Sequence, residues 1–263
     1  MKLLQLTHLN LARLFSRPIC GMFCGLVCGV GLTLAATSSI ADESLKASGT
    51  NPTPRTIEYS WMPVSAWDKM YAEDIAVAEK GGVDLLFVGD SITAGWNWEI
   101  WQKNFAQYNP ANFGIGGDHT GNLLWRLKYG HAEKLNPKAV VLLIGVNNFG
   151  HLNETPKQVF QGIKANLTLL RKIYPNSKIL VNSVFPFEES TQSPKRALVK
   201  EVNAMIAKLS DNKHVFVKDY GAIFLQANGN ISKELMGDFL HPSPKGYQVW
   251  VDAMLPDIQK LMQ

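Results

Sequence analysis

Four short apolar runs, spaced by helix-length amphipathic stretches, constrain the fold of this chain more than any other feature. They are Val83–Val88, Ala139–Ile144, Lys178–Val184 and Val215–Val217. An apolar run this short, bounded by turn residues, reads as a buried strand. Asn112-Phe113 is a weaker fifth candidate. Helical periodicity spans Trp67–Lys80 (closed by Gly81-Gly82), Gly121–Tyr129, Pro156–Ile173, Lys195–Leu209 and Pro244–Met262. Strands alternating with helices build βαβ units. The expected architecture is therefore α/β: a three-layer α/β/α sandwich around a central, mainly parallel five-stranded sheet. In such sheets ligands bind beyond the carboxyl ends of the strands, so residues just after a strand are the ones to inspect.

The first forty or so of the 263 residues have a different character. Lys2, Arg13 and Arg17 precede an uncharged stretch, Ile19–Ala36, and Ser39-Ile40-Ala41 is a small-x-small exit followed by Asp42 and Glu43. This is the pattern of a cleavable signal peptide and predicts export to the periplasm or medium. The competing reading is a retained membrane anchor, since the apolar stretch is close to the minimum span and Gly21, Gly25 and Gly29 have a helix-packing spacing. Cleavage after Ala41 leaves 222 residues, enough for one domain, and lowers the formal charge from +4 to +1. The basic balance thus gives no support for a nucleic-acid partner. All three cysteines, Cys20, Cys24 and Cys28, fall in the signal region, so the remainder has neither disulfides nor thiolate metal ligands. The expected organisation is a signal peptide over 1–41, a flexible, polar lead-in over 42–62 and a single catalytic domain over 63–263. Glycosylation-type sequons begin at Asn153, Asn166 and Asn230.

Four blocks follow predicted strands or precede the last helix. Gly89-Asp90-Ser91 places a serine on a strand-to-helix turn, although Asp90 or Ser91 could equally cap that helix. Asn112–Asp118 is rich in glycine, and Gly117 is suited to offer a backbone N–H. It is no dinucleotide fingerprint, because His119 stands where a third glycine is needed. Gly145-Val146-Asn147-Asn148 follows the most apolar run, where an amide can point into the same crevice or simply form a turn. Asp238-Phe239-Leu240-His241 sets a carboxylate and an imidazole three residues apart, so that one can orient the other.

Gly89-Asp90-Ser91, Gly117, Asn147 and Asp238-x-x-His241, in this order, resemble the four blocks of the SGNH or GDSL-type hydrolases across the whole predicted domain. Within that family Asn112–Asp118 and Leu124-Trp125-Arg126-Leu127 are similar to the catalytic subunits of intracellular platelet-activating-factor acetylhydrolase. Ile92 stands in place of the usual Leu, and Val146 in place of a frequent Thr.

The resemblance implies a flavodoxin-like SGNH fold and a serine esterase. Ser91 would be the nucleophile, His241 the base and Asp238 its orienting partner. The N–H groups of Ser91 and Gly117 and the Asn147 amide would form the oxyanion hole. No metal or organic cofactor is required. Asp90, Trp96, Asn148 and Phe149 are candidate substrate-pocket residues, with Trp98 and His119 nearby. The expected substrate is a small-molecule or glycan ester with a short, acetyl-sized acyl group, and export points to an O-acetylated carbohydrate. Alternatives are a lipase or thioesterase acting on longer chains, or a non-catalytic glycan-binding protein that retains the fold. Neither a Gly-x-Ser-x-Gly elbow nor a His-Glu-x-x-His motif occurs, which removes the main support for an α/β-hydrolase or a zinc protease.

Overall fold

The computed structural model describes residues 48–263. The predicted signal segment, 1–41, lies outside the described residues. Five strands form one sheet: β1 (Leu85–Gly89), β2 (Pro110–Gly114), β3 (Ala139–Leu143), β4 (Lys178–Asn182) and β5 (Val215–Lys218). Their spatial order is β2-β1-β3-β4-β5 and every pair is parallel. The register sets Gly89 beside Gly114 on one side and Leu143 on the other, so the three strand ends that carry motifs are level. The chain leaves β1 for one edge and returns to the other side for β3. Such a reversal is the switch point at which open α/β sheets bind ligands.

Burial explains the strand sequences. Every residue of β1 and β3 is buried, as expected for strands covered on both faces, and each large side chain buried there stabilises the fold by about 1.5–3 kcal/mol. β2 is an edge strand with Phe113 as its one large apolar residue, which explains its weak sequence signal. Asn112 holds that edge instead. Its Nδ2 donates to the Thr93 carbonyl at 2.8 Å, and its Oδ1 accepts from the Gly114 N–H at 2.9 Å.

The main helices are α1 (Val64–Lys80), α2 (Ser91–Ala94), α3 (Trp98–Phe105), α4 (Thr120–Tyr129), α5 (Val146–His151), α6 (Pro156–Ile173), α7 (Pro194–Ile206) and α8 (Pro244–Leu261). α4, α6 and α7 pack side by side, and Arg126 of α4 reaches Asp74 of α1; α3 packs on α8. The three-layer sandwich around a parallel five-stranded sheet is therefore present. Helix starts follow local chemistry. At α6, Thr155 Oγ1 accepts from the Gln158 N–H while Gln158 Oε1 accepts from the Thr155 N–H. At α8, Ser243 caps, Pro244 opens the first turn, and Tyr247, Trp250, Val251, Met254 and Ile258 recur on the buried face.

One expectation changes, and one sequon is closed to solvent. Of the lead-in read as flexible, residues 48–62 are packed against the domain. The Gly49 carbonyl accepts from Thr120 Oγ1 at 3.0 Å, Thr53 N–H donates to the Gly121 carbonyl at 3.1 Å, and Arg55 is buried. Polar composition hid these bonds, because their partners lie far along the chain. The sequon asparagine Asn166 is also fully buried, donating to the Thr120 carbonyl at 2.8 Å, so it presents no acceptor amide to solvent in the folded domain.

Candidate active site

Ser91 opens α2 just beyond β1. Both sequence readings of this turn hold at once. Asp90 caps, its Oδ1 accepting from the Ile92 N–H at 3.0 Å, and this leaves Ser91 at the first helical position. Glycine is required immediately before: a Cβ at Gly89 would collide with the Leu143 backbone oxygen and the Thr93 side chain.

Ser91 Oγ lies 2.8 Å from His241 Nε2, although 150 residues separate them. His241 Nδ1 lies 2.7 Å from Asp238 Oδ2, and Asp238 Oδ1 accepts from the backbone N–H groups of Leu240 and His241 at 3.0 and 2.8 Å. With a carboxylate at Nδ1, the imidazole proton belongs on that nitrogen, and Nε2 accepts from the serine hydroxyl. Phe239 has φ +59°, an uncommon conformation that bends this turn enough for one carboxylate to reach both backbone and ring. Partial burial alone would raise the Asp238 pKa. The hydrogen bonds from the His241 ring and the two N–H groups outweigh it and hold the carboxyl below its usual range.

Gly117 and Asn147 lie in the segments that follow β2 and β3, the strands on either side of β1. Gly117 has φ +73°, a left-handed conformation that L side chains rarely adopt, and a Cβ there would stand 2.8 Å from Trp61 Cη2. Asn147, buried in the first turn of α5, donates through Nδ2 to the Asp118 carbonyl at 2.9 Å. An amide nitrogen has two hydrogens, so this bond orients the group and leaves a second donor for a ligand.

The four residues expected at the substrate pocket are buried in the domain. Asp90 is fully buried. Trp96 packs among Phe87, Trp101, Phe105, Tyr247 and Trp250. Asn148 is buried, accepting from the Thr120 N–H at 3.1 Å and donating to Thr120 Oγ1 and Glu154 Oε2, both at 2.8 Å. Phe149 is buried and stacks on Phe187. Asn148 and Phe149 follow Asn147 in the first turn of α5, which sends neighbouring side chains in different directions, and these two go into the core; Asp90 caps α2, and Trp96 lies just beyond that helix. His119 caps α4, accepting from the Gly121 N–H, and burial lowers its pKa. Trp98 is 70% exposed on the surface.

Sequence reasoning missed the support beneath the site. Asp118 is fully buried and receives three side chains: Arg55 Nη2 at 3.0 Å, Trp67 Nε1 at 2.7 Å and Arg126 Nε at 2.8 Å. The same two arginines hold the loops above. Arg55 Nη2 donates to the Gly116 carbonyl at 2.7 Å, and Arg126 Nη2 to the Gly89 carbonyl at 3.1 Å. One buried ionic cluster thereby ties the nucleophile strand to the Gly116-Gly117 loop. Trp125-Arg126 belonged to a quoted motif, but nothing local shows that Arg126 points inward. A separate cleft of about 610 Å³ between α7 and β5, lined in part by Ser183, Arg196, Val217 and Asp219, shares none of these residues.

A family model, that of the GDSL-like lipase/acylhydrolase family, matches residues 87–249, which include Ser91, Gly117, Asn147, Asp238 and His241. The chain belongs to this family. As a member of the GDSL-like lipase/acylhydrolase family it is a carboxylic ester hydrolase. Platelet-activating factor acetylhydrolase IB subunit alpha1 of Rattus norvegicus is 34% identical over 183 residues, covering 69% of this chain and 77% of that protein. Two solved structures share the fold. A GDSL-like lipase from Bacteroides thetaiotaomicron has a TM-score of 0.59 at 20% identity, covering 74% of this chain and 97% of that one. A carbohydrate esterase family 3 protein from Talaromyces cellulolyticus has a TM-score of 0.52 at 19% identity, covering 68% and 98%.

Proposed function

We propose that this GDSL-family hydrolase is an exported serine esterase that cleaves short-chain, acetyl-sized esters through an acyl-enzyme. The observation that carries the reading is the continuous relay from Ser91 Oγ through His241 to Asp238, at 2.8 and 2.7 Å. Ser91 Oγ attacks the ester carbonyl while His241 Nε2 takes its proton, an assistance typically worth ~10²–10⁴-fold. Asp238 stabilises the imidazolium. The Ser91 and Gly117 N–H groups and the Asn147 amide receive the oxyanion. His241 returns the proton to the leaving alcohol, then activates water to release the acid. The acetyl preference draws on similarity to a protein named as an acetylhydrolase. Export draws on the basic, apolar and small-residue order of 1–41, and an extracellular O-acetylated carbohydrate is the substrate class that export suggests. Among the described residues no helix is long and apolar enough to cross a membrane.

The test is hydrolysis of p-nitrophenyl acetate and p-nitrophenyl octanoate beside Ser91→Ala. Acetate turnover that collapses in the variant, with octanoate much slower, is expected. Faster octanoate turnover would move the substrate to long acyl chains, and equal inertness of both proteins would refute the esterase reading. N-terminal sequencing of the secreted protein, expected to begin at Asp42, tests export.

A further inference from the structure

The segment before the family-matched region contributes an aromatic surface beside the nucleophile. Trp61 is 58% exposed, yet its ring is held in place. It stacks on Tyr59 with ring centroids 5.0 Å apart and planes 10° apart, and Tyr59 Oη bonds His151 Nδ1 at 3.0 Å. Tyr59 lies over the buried Arg55 guanidinium, 5.1 Å from its ring centre, so the platform rests on the same ionic cluster that anchors the Gly116-Gly117 loop. Its position relative to the chemistry is close. The point where a Cβ on Gly116 would stand is 3.5 Å from Trp61 Cζ3 and 3.9 Å from Ser91 Cβ. A large exposed aromatic costs solvation, and one fixed by stacking this near a nucleophile is a contact surface rather than a stray residue.

We propose, resting on the esterase reading above, that Trp61 on its Tyr59–His151 support forms the subsite for the alcohol half of the ester, and that this subsite takes an uncharged pyranose ring. Asp90, Ile92 and Thr93, which flank Ser91, are buried, so the larger half of an ester lies on the solvent side, where Trp61 stands. A pyranose presents a face of C–H bonds that stacks on an indole while its hydroxyls stay in water. A quaternary ammonium alcohol also favours aromatic faces, but the Arg55 guanidinium already engages Tyr59 and repels a second cation. Burial and Arg55 both lower the His151 pKa, so the support beneath Trp61 presents a neutral imidazole. Trp61 acts here as a specificity residue, outside the proton relay.

The experiment compares kcat/KM for methyl tri-O-acetyl-β-xylopyranoside with that for ethyl acetate in wild type, Trp61→Ala and Trp61→Phe, with circular dichroism as the check on folding. The ratio of pyranoside to ethyl acetate efficiency is expected to fall about tenfold in Trp61→Ala, mainly through KM, and to recover in part in Trp61→Phe, as loss and replacement of one aromatic contact would give. An unchanged ratio, with both substrates losing equally, would make Trp61 structural and overturn the proposal. So would acetylcholine outcompeting the pyranoside in a Trp61-dependent way. Absence of Ser91-dependent turnover on ethyl acetate itself would instead overturn the esterase reading and this subsite with it.

Discussion

At the residue scale, what a side chain does depends on which way the turn sends it. Asn147 and Asn148 are adjacent amides of one helix turn, yet the first bonds the Asp118 carbonyl beside the site and the second ties Thr120 to Glu154 inside the core. Asn147→Ala is expected to lower kcat by ~10²–10³ with little change in KM, the usual effect of losing one oxyanion donor; a KM effect alone would place it in ground-state binding. Asp90 gives a pH signature. Burial, opposed by the Ile92 N–H and reinforced by Asp118, pushes its carboxyl up to about 7. Its unfolded value is about 3.9, so between these two values the folded chain holds a proton that the unfolded chain has released, and stability falls as pH rises through that window. Asp90→Asn removes this titration. Its melting temperature relative to wild type should rise from pH 5 to pH 8, and a difference constant across that range would contradict the account. The Asp238–His241 pairing was legible because the two residues share one turn, whereas Ser91 and His241, 150 residues apart, were linked only by the resemblance of their motifs. Trp96 and Phe149 were misplaced because aromatic residues near a motif look the same in sequence whether they face substrate or core.

At the scale of elements, the site depends on a link that no local pattern displays. Arg55 reaches Gly116 and Asp118 across 61 and 63 residues of sequence, from a segment whose composition suggested a loose tail. Asp118 then joins α1, through Trp67, and α4, through Arg126, to the loops after β1 and β2. Asp118→Asn leaves two buried guanidinium groups short of their shared carboxylate. It should destabilise the protein by about 3–5 kcal/mol, the cost of breaking a buried ion pair. Because the same arginines hold the Gly89 and Gly116 carbonyls, kcat at temperatures well below unfolding should fall too. Lost stability with wild-type kcat would separate the cluster from the catalytic loops. The strands show the converse: β1 and β3 were evident from continuous apolar sequence, whereas β2 was faint because Asn112, rather than a run of large side chains, secures its edge.

For the whole molecule, the alternation of strands and helices was sufficient to give the layers, and the parallel order then fixed where a site could be. Ser91, Gly117 and Asn147 come from three adjacent strands whose ends are level, so the sheet register does the work of convergence. Among the described residues no cross-link assists. The only cysteines are Cys20, Cys24 and Cys28, and residues 48–263 contain none. Stability rests on the apolar core, so the melting temperature of the domain should be the same with and without a thiol reductant; a fall under reduction would reveal a covalent contribution that this account lacks.

The central claim, that Ser91 is the acylated nucleophile, is tested most directly by rapid quenching of the enzyme during p-nitrophenyl acetate turnover and peptide mass spectrometry. The account expects one acetyl group per chain, on the peptide containing Ser91, together with a burst of nitrophenol and loss of both signals in Ser91→Ala. Turnover without a covalent adduct, or an adduct on another residue that persists in Ser91→Ala, would contradict it.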